Sequence, residues 1–103
     1  MTGNEKIAFR NVRGAFNWIV GGYYNCLQDD DTDYLPESRE ALINEIYDSA
    51  MNNMYVPGLE VIGRAPREMR FSGKEFIMAQ IEKLANNDGD FAEIADYCGW
   101  EVV

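Results

Sequence analysis

Over residues 5–28 the apolar positions Ala8, Val12, Ala15, Phe16, Ile19, Tyr23 and Leu27 recur mostly at steps of three and four, which predicts one long amphipathic helix. Gly14 and the pair Gly21–Gly22 work against it, each costing about 1 kcal/mol relative to alanine in a helix interior. At Gly21–Gly22 the pattern is compatible with a kink, a split into two shorter helices, or a hinge approached closely by another backbone. A second helix is predicted over 36–53. Pro36 suits its first position, Glu37 and Glu40 lie near its positive end, and Leu42, Ile43, Ile46, Tyr47, Ala50 and Met54 form its apolar face. Asn52 and Asn53 end it.

Between residues 54 and 71 the helical period is lost. Pro57–Gly58 is turn chemistry, and LEVI (59–62) and REMRF (67–71) fit the two arms of a short hairpin around GRAP. A third helix is expected to start at FSGKEF, with Ser72 as N-cap, Glu75 completing a capping box, and Phe71 and Phe76 forming a hydrophobic staple. Ile77, Ile81, Leu84 and Ala85 would face inward, and Asn86–Asn87–Asp88–Gly89 would stop it. A fourth helix over 90–98 carries Phe91, Ile94, Ala95 and Cys98, with Gly99 as its terminating residue. WEVV would dock on the core or form a short strand. The fold class is therefore mainly α: a single domain over 1–103 built from four helices, with room for one short β-hairpin near residues 59–71.

Composition narrows the function. Among 103 residues, 47% are apolar and 13% aromatic, which fits a globular chain. No apolar run reaches the roughly 18 residues of a membrane span, and MTGNEKIAFRN lacks a signal-peptide core, so a cytoplasmic location is expected. There is no histidine, which removes Ser-His and Cys-His nucleophiles, and no phosphate-binding glycine motif is present. An enzyme is not expected, nor a cofactor. Cys26 and Cys98 sit among apolar neighbours and read as two buried free thiols, with a disulfide or a shared metal as the alternatives.

The net charge of −9 changes the picture most, because it is zoned. The formal balance is −7 over residues 29–55 and −6 over 75–103, against +2 in each of 1–28 and 56–74. DDDTDYLPESRE (29–40) aligns to a twelve-residue calcium loop, with Asp29, Asp31 and Asp33 at positions 1, 3 and 5 and Glu40 at position 12. Tyr34 stands where that loop needs glycine, so no metal site is assigned. The same residues make a negative ridge of Asp29, Asp30, Asp31, Asp33, Glu37, Glu40 and Asp48. Glu37, Glu40, Asn44 and Asp48 are spaced to share one helical face. Asp88, Asp90 and Glu93 belong to a second ridge. With almost no lysine interleaved, such ridges either keep the surface solvated or face a cationic partner. They disfavour direct binding to nucleic acid or to an anionic membrane. Rows of carboxylates can instead imitate phosphates and compete for a basic DNA-binding groove. The basic stretch GRAPREMRFSGK carries Arg64, Arg67, Arg70 and Lys74. It reads as a solvated loop with salt bridges to the acidic zones, or as a grip for an acidic partner.

In size, acidity and the segments FNWIVGGYYN (16–25) and RFSGKEFIMAQIEKL (70–84), the chain resembles small proteins of bacteriophages and mobile elements. Among these it is most similar in kind to anti-CRISPR proteins that inhibit type II RNA-guided nucleases. The resemblance implies a non-enzymatic inhibitor acting in the bacterial cytoplasm on a basic nucleic-acid-binding protein, such as a type II nuclease with its guide RNA. Such inhibitors often occupy the basic channel or the arginine-dependent site that reads the motif beside the target. The alternatives are a small structural or regulatory phage protein whose acidity only solvates it, and a metal-supported binding module.

Overall fold

A computed structural model describes residues 3–55 and 64–100, and it is helical in the main. Helix α1 runs over Gly3–Gln28, a 3-10 turn over Thr32–Tyr34, α2 over Arg39–Asn52, α3 over Glu68–Phe71, α4 over Lys74–Asn86 and α5 over Gly89–Cys98. No strand occurs among the described residues, and none of their helices is long and apolar enough to cross a membrane.

The 26 residues of α1 rise about 39 Å at 1.5 Å each, matching the longest dimension of the molecule, 39 Å. Every other helix packs on α1. Its buried face is Ala8, Asn11, Val12, Ala15, Phe16 and Val20, with Ile19, Tyr23 and Leu27 half-buried beside it. Leu42, Ile43, Ile46 and Ala50 of α2, Tyr55 after it, Met69 of α3, Ile77, Ile81 and Ala85 of α4, and Phe91, Ile94 and Ala95 of α5 complete the core. Each large side chain buried in full contributes about 1.5–3 kcal/mol. Phe16 and Phe91 stack with ring centroids 6.0 Å apart, and Trp100 meets Phe91 edge-on at 6.2 Å. WEVV thus docks through its tryptophan, and its last three residues lie outside the described ones.

The glycines of α1 differ from expectation. The helix continues through Gly21–Gly22 without splitting, and nothing lies within 4 Å of a Cβ added at either. The close approach is at Gly14, where a Cβ would overlap Cβ of Tyr55. One turn earlier, Asn11 is 2% exposed and fully bonded. Its Nδ2 donates to the carbonyls of Ala50 (2.8 Å) and Asn53 (2.9 Å), and its Oδ1 accepts from the Tyr55 N–H (2.8 Å). Asn11 and Gly14 together seat the chain leaving α2 against α1.

Helix boundaries correct several expectations. Helix α2 begins at Arg39, not Pro36: Ser38 is extended and its hydroxyl accepts from the Ala41 N–H at 3.0 Å. A side-chain acceptor at the N-cap satisfies a free amide, which a proline at the first position cannot do. The expected hairpin is not formed on its second side, because residues 68–71 are helix α3, while 59–62 lie outside the described residues. Ser72 does not cap α4. It ends α3 instead, its hydroxyl donating back to the Glu68 carbonyl at 3.4 Å, and Gly73 takes the N-cap position without a side-chain bond. Phe71 ends up 72% exposed, so the staple with Phe76 is absent. Helix α5 starts where Asp88 accepts from the Phe91 N–H at 2.9 Å, and ends at Gly99 with φ 71°.

The end of α1 repeats the end of α5 with a different residue. Trp100 N–H bonds to the Ala95 carbonyl (3.0 Å) and Gly99 N–H to that of Asp96 (3.3 Å). Likewise Asp31 N–H bonds to the Cys26 carbonyl (2.9 Å) and Asp30 N–H to that of Leu27 (3.4 Å), with Asp30 at φ 58°. This is the left-handed helix stop that favours glycine. Asp30→Gly is therefore expected to raise the free energy of unfolding by about 1 kcal/mol, read as a higher urea midpoint. A lower midpoint would show that the aspartate side chain stabilises the turn in another way.

Candidate partner-binding surface

The chain path decides where the acidic residues go. Arg39, first residue of α2, reaches the last turns of α4: its Nη1 and Nη2 donate to the two carboxylate oxygens of Glu82 at 3.0 and 2.6 Å, and Nη2 also donates to Asn86 at 3.3 Å. Its guanidinium lies 5.5 Å from the centroid of the Phe91 ring. Lys74, at the start of α4, sits 5.1 Å from the ring centroid of Tyr47, which is well along α2. Helices α2 and α4 are thus antiparallel; the end of α4 and Asp88 meet α1 near its middle, beside Arg13 and Asn17, while Asp90 and Glu93 of α5 lie beside Tyr24, toward the end of α1 where the start of α2 also lies.

Nearly all the candidate residues lie at this end. Asp29, Asp30 and Asp31 form the stop of α1, Asp33 is in the 3-10 turn, Glu37 precedes the Ser38 cap, and Glu40 is in the first turn of α2. Asp88 and Asp90 open α5, and Glu93 follows one turn on. All are exposed except Asp88, which is half-buried and occupied as a cap. Asp48 does not join them: eight residues past Glu40, it lies about 12 Å further along α2. Glu37 is off the helix, so the shared face reduces to Glu40, Asn44 and Asp48. Among the described residues none of these carboxylates has an ion-pair partner.

The two acidic ridges, separate in the chain, meet around the last turns of α1. Tyr23 donates to Glu45 of α2 at 2.6 Å, and its phenol is pushed up to about 12 by burial, then by that bond and the glutamate charge. On the other side, Glu93 of α5 raises the Tyr24 phenol above its usual range by a hydrogen bond and by its charge, with Asp90 adding to it. Neither tyrosine contact carries a sequence signal. Tyr34, directly after the run of aspartates, is 71% exposed, and Tyr97 on α5 is 59% exposed. Half-exposed aromatics among polar groups are the usual anchors of protein interfaces.

The opposite end gathers most of the cations, together with Glu5, Glu68, Glu75 and Asp48. A cleft lined by Met51, Asn52, Arg64 and Arg70 sets the end of α2 beside α3, and another lined by Asn4, Gly73 and Phe76 sets the start of α1 beside α4. Lys6 and Arg10 of α1 and Arg64, Arg67, Arg70 and Lys74 are all exposed there. Arg67 pairs with its neighbour Glu68 at 3.7 Å, not with the acidic zones as expected.

No metal chemistry is laid out in this geometry: among the described residues no three Cys, Asp or Glu side chains are grouped to hold an ion. The calcium-loop alignment is broken by the helix stop at Asp29–Asp31 and the cap at Ser38. Cys26 and Cys98 are free thiols, half-buried rather than buried, and burial raises that of Cys98. No protein family, curated protein or solved structure matches the chain.

Proposed function

We propose that the protein is a non-enzymatic inhibitor that sets its acidic end into an arginine- and lysine-lined groove of a nucleic-acid-handling protein, where DNA phosphates would otherwise lie. One observation carries it: exposed carboxylates from two distant segments, without ion-pair partners among the described residues, converge on the last turns of α1, where Asp29–Asp31 form its stop and Asp90 and Glu93 lie beside Tyr24. Like charges held together without lysines repel one another, a cost that a cationic partner removes. The resemblance to anti-CRISPR proteins makes a type II RNA-guided nuclease with its guide the target of choice, in the cytoplasm of a bacterial host. Binding would then compete with DNA for the same groove.

The test is the triple reversal Asp31→Lys, Asp33→Lys and Glu37→Lys, all exposed and none in the core; Asp30 is left alone because its backbone is left-handed. Binding to the guide-loaded nuclease is measured at two salt concentrations. The reversed protein should keep its melting temperature within a few degrees and lose about tenfold or more in association rate, since opposite charge steers the encounter. Wild-type affinity should fall steeply with salt, and preloaded DNA should block it. Equal binding by both proteins would reduce the acidic end to a solvated surface, and failure of the wild type to bind would remove this nuclease as target.

A further inference from the structure

Two cations of this acidic chain stand apart from both ends. Arg13 on α1 and Lys83 on α4 line one groove, of roughly 370 Å³, between these helices and the start of α5. Both are exposed, and among the described residues neither has an ion-pair partner. Carboxylates are abundant elsewhere, yet Asp88 is the one that lines this groove with the two cations. The groove is also lined by Phe9 and Leu84, both half-buried, by the buried Phe16, and by Asn17 and Gln80. Small-molecule sites have this make-up, an apolar lining with a few polar groups and a volume of about 300–1,000 Å³.

We infer that this groove binds a small amphipathic anion: a carboxylate or phosphate head held by Arg13 and Lys83, with an apolar, ring-sized body against Phe9 and Leu84. Guanidinium and ammonium together favour an oxyanion, because charge-assisted bonds to either are about twice as strong as neutral ones. The amides of Asn17 and Gln80 can serve a hydroxyl or carbonyl of the body. Asp88 is the one carboxylate on the groove, and it opposes the anion. Its effect is limited, since the carboxylate is bonded to the Phe91 N–H at the positive end of α5. Asp88 therefore supplies a control of opposite sign. Asn caps a helix about as well as Asp, so Asp88→Asn keeps the start of α5 and removes the repulsion.

The experiment titrates the whole, isotope-labelled protein with phenyl phosphate, benzoate, benzyl alcohol and inorganic phosphate, following amide and side-chain shifts by NMR. Phenyl phosphate and benzoate should shift the signals of Phe9, Arg13, Gln80 and Lys83 saturably. Benzyl alcohol, which lacks the charge, and inorganic phosphate, which lacks the body, should each bind about tenfold more weakly. The double variant Arg13→Ala, Lys83→Ala should keep its melting temperature and lose about tenfold in affinity for phenyl phosphate. Asp88→Asn should gain about threefold. Shifts that stay linear up to about 10 mM, in the weak range of affinity arithmetic, would overturn the site. So would benzyl alcohol binding as tightly as benzoate, or a double variant that binds phenyl phosphate like the wild type.

Discussion

Asn11→Ala should lower the free energy of unfolding by about 3–5 kcal/mol, which is a large share of the ~5–15 kcal/mol that holds a domain together. The residue is 2% exposed, and its side chain makes three bonds of 2.8–2.9 Å to the carbonyls of Ala50 and Asn53 and the N–H of Tyr55. Alanine removes all three partners at once. Each orphaned buried group costs about 1–3 kcal/mol, well above the value of an ordinary exchange with water. Asn11→Asp keeps the acceptor for Tyr55 but turns a carboxylate toward two carbonyls, so it should be as damaging at neutral pH. Urea unfolding gives the answer. A loss under about 1 kcal/mol for Asn11→Ala would mean that water reaches these groups and that the bonds add little.

Gly14→Val should cost more than about 2 kcal/mol, while Gly21→Ala and Gly22→Ala should each stabilise by about 0.5–1 kcal/mol. The opposite signs come from what surrounds each position in one helix. A Cβ at Gly14 overlaps Cβ of Tyr55, with Cγ at 3.3 Å and Cα at 3.6 Å, so the obstacle is the root of a side chain and its backbone. Those atoms cannot swing aside without pulling the Tyr55 N–H from Asn11. The Tyr55 hydroxyl is itself held by that of Ser49, which anchors the ring as well. At Gly21 and Gly22 the space is open, and alanine only improves helix propensity. Thermal melts of the three variants check it. Three shifts of the same sign would mean that Tyr55 does not rest on α1.

The helices were legible because their signal is local. Ala8, Val12, Ala15 and Phe16, or Ile77 and Ile81, are placed on one face by a period of 3.6 whatever they pack against. Caps were harder, since a residue can serve either of two neighbouring segments. Ser72 has the spacing of a cap for α4, yet α3, whose sequence suggested a strand, takes it. Asn11 did carry a signal: it occupies the same face as Ala8, Val12 and Ala15, where a polar side chain is either bonded or ruinous. Arg39 and Glu82 lie 43 positions apart and offered none. The acidic residues were plain in the sequence as two zones. That they meet around the last turns of α1 depends on how α2 and α5 pack against it, which no local pattern contains.

Acidic charge gathered at one end of a 39 Å body, with most of the cations toward the other, makes the protein an electric dipole as well as a polyanion. A net charge of −9 only pulls the molecule toward a positive surface, whereas a dipole also feels a torque. At physiological ionic strength the field of such a surface extends about 8 Å beyond it. Within that distance the acidic end is drawn in while Arg64, Arg67 and Arg70 are pushed away, so the long axis turns before any side chain touches. Much of the orientational search that slows ordinary docking is then completed in solution. The same torque turns the molecule the other way over a negative surface, presenting Phe71 and its arginines, so the sign of what it meets selects which end arrives first.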